Sequence, residues 1–70
     1  MKNWYLLFTT RNLSQANIIK GMLEENDVPV MLINKQSSAY INIIPGNIEL
    51  YVPTHLKDIA SQLLGEGLVN

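Results

Sequence analysis

Seventy residues, 47% of them hydrophobic and only 16% charged, make one small domain, and there is no cysteine to staple it. The missing thiols exclude disulfides, thiolate metal sites and cysteine nucleophiles, and make a reducing cytoplasm the expected location. Five basic and six acidic side chains lie scattered with a formal net charge of −1, so no basic run neutralises phosphates and a nucleic acid partner is not expected.

The first segment, WYLLFTT at Trp4–Thr10, is aromatic and apolar and predicts a mostly buried strand. It is far shorter than the roughly 20 residues of a membrane span. It also lacks the longer apolar core and cleavage site of a signal peptide, so a soluble protein with no membrane role is expected. In NLSQANIIKGMLEEND, Leu13, Ala16, Ile19 and Leu23 recur at three- and four-residue steps, with Ile18 and Met22 beside them. That spacing predicts a helix with one face on the core. Asn12 is the expected N-cap, with Gln15 reaching back as in a variant of the capping box. Gly21 inside the helix costs about 1 kcal/mol relative to alanine, which a close approach of helix to sheet would offset. Asn26 can take the left-handed conformation that ends a helix.

VPVMLIN at 28–34 predicts the second strand, and Pro29 assigns it to a sheet edge or marks the strand's first residue. After the segment 34–47, Ile48, Leu50 and Val52 alternate with Asn47, Glu49 and Tyr51, the period of a third strand with one face on a core. THLKDIASQLLGEG then carries Leu56, Ile59, Ala60, Leu63 and Leu64 as an amphipathic stripe, with Thr54 as cap and Gly65 as stop. Leu68–Asn70 leaves room for a very short C-terminal strand. The order is β-α-β-β-α in a single domain spanning 1–70, with both helices on one face of the sheet. The expected class is α+β, a truncated ferredoxin-like two-layer sandwich with sheet order 2-3-1. Strands one and two are parallel in it because the first crossover is right-handed. Strand one then lacks a full fourth strand beside it, and such an edge invites another chain. A homo-oligomer is expected, held by a sheet edge, by the apolar run Tyr40–Ile44, or by both.

Few residues suggest chemistry. His55, the one histidine, falls at a helix start with no nucleophile or carboxylate placed beside it, and is expected to face solvent. Glu24, Glu25 and Asp27 have no metal-site spacing and are expected to form a solvated helix end. Trp4 and Tyr5 are expected in the core. No glycine-rich phosphate loop and no nucleophile elbow occurs, so no enzyme activity, cofactor or metal is expected. What stands out is Asn34–Pro45. NKQSSA is polar and turn-prone, whereas YINII is β-prone and too apolar for a free loop. Either it extends a strand under the domain's own core, or it is an exposed apolar patch of the kind that marks an interaction site.

The segments FTTRNLSQANIIKGMLEENDVPVMLIN, GNIELYVP and LKDIASQLL resemble a small bacterial domain family described as "putative prokaryotic signal transducing protein". The matching positions are Ala16, Ile19, Leu23 and Glu24, then Val28 and Pro29, then Glu49 to Pro53, and then Ala60, Leu63 and Leu64. That family is similar in fold to the PII nitrogen-regulatory proteins, in which the loop between strands two and three touches partners and ATP binds between subunits. The resemblance implies a ferredoxin-like, PII-like regulatory fold with an interaction loop at 34–45. It does not extend to ATP binding, because this chain is much shorter and lacks the nucleotide loop. Two functions follow as expectations. One is a signal-transducing protein-interaction module acting through the 34–45 loop and a sheet edge. The other is a metabolite sensor with a cleft near that loop, where Tyr40, Glu49 and Tyr51 supply polar groups. The candidate interaction residues are Asn34, Lys35, Gln36, Tyr40, Ile41, Ile43, Ile44, Glu49 and Tyr51.

Overall fold

The structure is a computed structural model that describes residues 3–35 and 48–69, with side chains as far as Glu66. Its elements are β1 (Trp4–Thr10), α1 (Leu13–Glu25), β2 (Met31–Asn34), β3 (Ile48–Pro53), a single 3₁₀ turn (Thr54–Leu56) and α2 (Lys57–Val69). β1 and β2 both pair antiparallel with β3, giving the sheet order β1-β3-β2. This is the 2-3-1 order read from the opposite edge, and it makes β1 and β2 parallel to each other.

β3 takes the centre because its alternation is the most complete. Ile48, Leu50 and Val52 are all fully buried, while Glu49, Tyr51 and Pro53 between them are only half-buried. Leu50 lies between Phe8 of β1 and Leu32 of β2 in the register, so three apolar side chains cross the sheet on the helix side. The register of β1 shifts between Leu6 and Phe8, which leaves Leu7 as an extra residue. Leu7 and Phe8 consequently both pack against the core. Trp4 and Tyr5, expected in the core, are not there. Trp4 lies opposite Pro53 at the end of the sheet, and Tyr5 is exposed, with the Lys57 ammonium 5.4 Å from its ring centre.

The start of α1 is capped through a relay. The Asn12 side chain accepts from the Gln15 N–H at 3.1 Å, as expected. Gln15 does not reach back to Asn12. It accepts from the Thr10 hydroxyl at 2.7 Å, and Thr10 Oγ1 in turn accepts from the Asn12 N–H at 3.0 Å. One hydroxyl from β1 thereby stands in for the direct contact of a capping box. At the other end Asn26 is not left-handed, having φ of −102°; Asp27 is, at φ 64°. The Val28 N–H donates to Leu23 O at 3.0 Å and the Asp27 N–H to Glu24 O at 3.1 Å. This is a Schellman closure, with Val28 and Leu23 both buried as its apolar contact. Asn26 is drawn out of the left-handed position because its own side chain donates to Met22 O at 2.8 Å. Pro29 follows the closure, and β2 begins only at Met31, at a sheet edge where the missing N–H costs no ladder bond.

Among the described residues the core is Ala16, Ile19, Leu23, Val28, Ile48, Leu50, Val52 and Ala60. The helical stripes are narrower than the sequence suggests. Leu13, Ile18 and Ile59 are exposed, Ile18 at 72%. Gly21 also departs from expectation, since a Cβ built there meets nothing within 4 Å among the described residues, so no close approach explains it. In α2 the Thr54 side chain does not cap. Thr54 opens the 3₁₀ turn and its N–H donates to Asn3 O at 3.1 Å. Gly65 does not stop the helix, and α2 runs on to Val69 in place of a C-terminal strand. No glycine described takes the positive φ that a glycine stop needs, and no proline follows to break the ladder.

Candidate functional site

Both helices pack on the side of the sheet that holds Ile48, Leu50 and Val52, and the molecule is only 16 Å through its thinnest axis. Among the described residues nothing covers the other side. Three rows of side chains lie there. Trp4 and Pro53 form the first, Leu6, Tyr51 and Met31 the second, and Thr9, Glu49 and Ile33 the third. The arrangement follows from the two-residue period of strands, which turns alternate residues of three paired strands to one face.

The polar centre of this face is built on Glu49. Its Oε1 accepts from the Tyr51 hydroxyl at 2.9 Å and lies 3.3 Å from Lys35 Nζ. The Glu49 side chain is only 15% exposed, against 55% for Lys35, so the pair joins a nearly buried carboxylate to an exposed ammonium. The hydrogen bond to Glu49 is the main cause that raises the Tyr51 pKa above that of free tyrosine, and burial and the neighbouring negative charge add to it. Around this triad the exposed Leu6 and the half-buried Met31 and Ile33 provide an apolar rim. The result is an apolar surface with a fixed polar pin at its middle.

Of the residues that the sequence singles out, the structure brings together Lys35, Glu49 and Tyr51. Asn34 does not join them, because it pairs with Ile48 and that register turns it to the helix side. Gln36, Tyr40, Ile41, Ile43 and Ile44 lie outside the described residues. Leu6, Thr9, Met31 and Ile33 belong to the face but were not singled out. The signal was present for Met31 and Ile33, which alternate with Leu32, yet an unbroken apolar run conceals which members face the core.

Elsewhere, His55 is exposed and lines a shallow hollow with Asn3, Trp4, Pro53 and Thr54. Between the helices Ile18, Ile19 and Met22 of α1 face Leu64 of α2 across a groove of about 290 Å³. At the end of α1, Glu24 forms an ion pair with Lys20 at 3.1 Å. No group of three or more metal-ligating side chains occurs among the described residues, and no helix there is long and apolar enough to cross a membrane.

A model of the protein family described as "putative prokaryotic signal transducing protein" matches residues 4–67. No curated protein and no solved structure matches the chain.

Proposed function

The chain belongs to the family described as "putative prokaryotic signal transducing protein", and on that premise we propose that it is a non-enzymatic regulatory module whose helix-free sheet face docks a protein partner. The observation that carries this reading is the apolar rim of Leu6, Met31 and Ile33 around a carboxylate already fixed by Tyr51 and Lys35. An apolar patch with a rigid polar centre gives a partner both area and register. Lys35, the last described residue before the β2–β3 connection, belongs to this face through its contact with Glu49. The PII-like resemblance points to the same connection as the part that touches partners.

The same face also bears on the metabolite reading, and the protein reading is favoured over it. Glu49 accepts from two groups of its own domain, so a small ligand would have to compete with both for that oxygen. A partner covering the rim leaves these contacts in place.

The test is affinity purification from the native cytoplasm with wild type, Ile33→Asp and Ser61→Ala. The partner should be retained by wild type and Ser61→Ala and lost with Ile33→Asp while circular dichroism shows an intact fold. A metabolite that copurifies in native mass spectrometry and is lost with Glu49→Ala, with no protein retained, would transfer the assignment to the sensor reading.

A further inference from the structure

The two edges of the sheet differ in how they are protected. β2 is short at four residues, follows Pro29, and is succeeded by Lys35; all three features discourage pairing with another strand. β1 is seven residues long, contains no proline, and carries no charge from Trp4 to Thr10. Its one irregularity is the extra residue at Leu7. Among the described residues no strand lies beyond it.

α2 is shaped to the same gap. Ala60 points to the core, and Leu64 faces α1 across the groove. At about 100° per residue, Lys57 falls on the Leu64 side of the helix and Ile59 on the opposite flank. Lys57 reaches the ring of Tyr5 in β1, so Tyr5 lies on that inner side, and the helical period sets Ile59 on the flank turned away from it. Ile59 is 51% exposed. A strand placed beside β1 would lie beneath it.

We infer that the strand is β1 of a second copy of this chain, paired antiparallel about a two-fold axis to make a continuous six-stranded sheet. A second copy fits for three reasons. An uncharged strand meets its own image without like-charge repulsion. The two-fold gives the β1 edges of both copies their backbone partners at once and leaves only the short β2 edges at the ends of the sheet. Each copy also brings its own β1 toward the other's exposed Ile59, so the apolar cover is reciprocal. This joint uses the sheet edge and the outer flank of α2, and is separate from the open face assigned to a protein partner. A seven-residue edge is about 24 Å long. With so few apolar side chains the interface lies at the small end of the range, and its dissociation constant falls in the micromolar range.

The experiment combines sedimentation equilibrium, from about 5 µM to about 500 µM, with amide hydrogen exchange by NMR at both ends of that range. Wild type should pass from the 7.9 kDa monomer to twice that mass, and amides of β1 should gain protection as it does while those of β2 should not. Ile59→Lys should weaken dimerisation roughly tenfold or more. Ile33→Lys, on the open face, should leave it unchanged. A wild type that stays monomeric, a dimer without protection in β1, or a dimer indifferent to Ile59→Lys would each overturn the inference. Loss of dimer with Ile33→Lys would overturn it too, and would move self-association to the open face.

Discussion

Replacing Gly21 by alanine should stabilise the protein. Gly21 is in the interior of α1, no glycine described has a positive φ, and the space around a Cβ there is empty to 4 Å among the described residues. The methyl therefore meets no clash, and its effect comes from the unfolded chain, which loses conformational freedom that glycine would otherwise have to surrender on folding. The expected gain is about 0.5–1 kcal/mol. For a domain of this length total stability is only about 4–10 kcal/mol, so the change is a sizeable fraction. It corresponds to a rise in melting temperature of about 2–8 °C. Gly65 in α2 has the same empty surroundings, and the two glycines lie on different helices, so Gly65→Ala should add to the first substitution almost independently. Thermal and urea melts followed by circular dichroism measure both. A destabilised Gly21→Ala would refute the reasoning and restore the close helix–sheet approach that the sequence suggests.

Other substitutions test the core, the polar pin and His55. Leu50→Ala, at a fully buried central position, should cost about 2–5 kcal/mol, and Ser61→Ala on the exposed side of α2 less than about 0.5 kcal/mol; equal effects in urea melts would contradict the assigned faces. Glu49→Ala should lower the pKa of Tyr51 toward the free tyrosine value, read from phenolate absorbance, because the bond that holds the phenol neutral is gone. The sign for stability follows: a raised pKa in the folded state contributes stability below the normal tyrosine range, and that contribution disappears as pH rises through the folded value. A Tyr51 titration unchanged in Glu49→Ala would mean that another group sets it. His55→Gln should leave fold and partner retention intact, and loss of either would contradict an exposed, non-catalytic histidine.

The framework of the fold was legible where chemistry alternates. Ile48, Leu50 and Val52 announce both a strand and its buried face, and Ala16, Ile19 and Leu23 do the same for α1. The Asn12 cap was legible because a side-chain acceptor before an apolar period has little other use. What was hidden depends on neighbours. Ile18 and Ile59 have the chemistry of a core stripe, but burial needs something opposite, and no period records how wide a helix contact is. The exchange of roles between Asn26 and Asp27 turned on one side-chain bond to Met22 O. The candidate site was half legible for a related reason. Glu49 and Tyr51 stood out as polar residues between buried ones, whereas Leu6, Met31 and Ile33 were indistinguishable by type from core.

The most direct test of the open face as a docking surface is site-specific photo-crosslinking in the native cell. A crosslinking residue at position 31 lies on the rim of that face, and one at position 61 lies on the exposed side of α2. Position 31 should give a discrete adduct with one partner protein, lost when Ile33→Asp is present in the same chain, while position 61 should give none. An adduct of equal yield from position 61, or no adduct from position 31 in cells where the partner is retained on purification, would contradict the assignment.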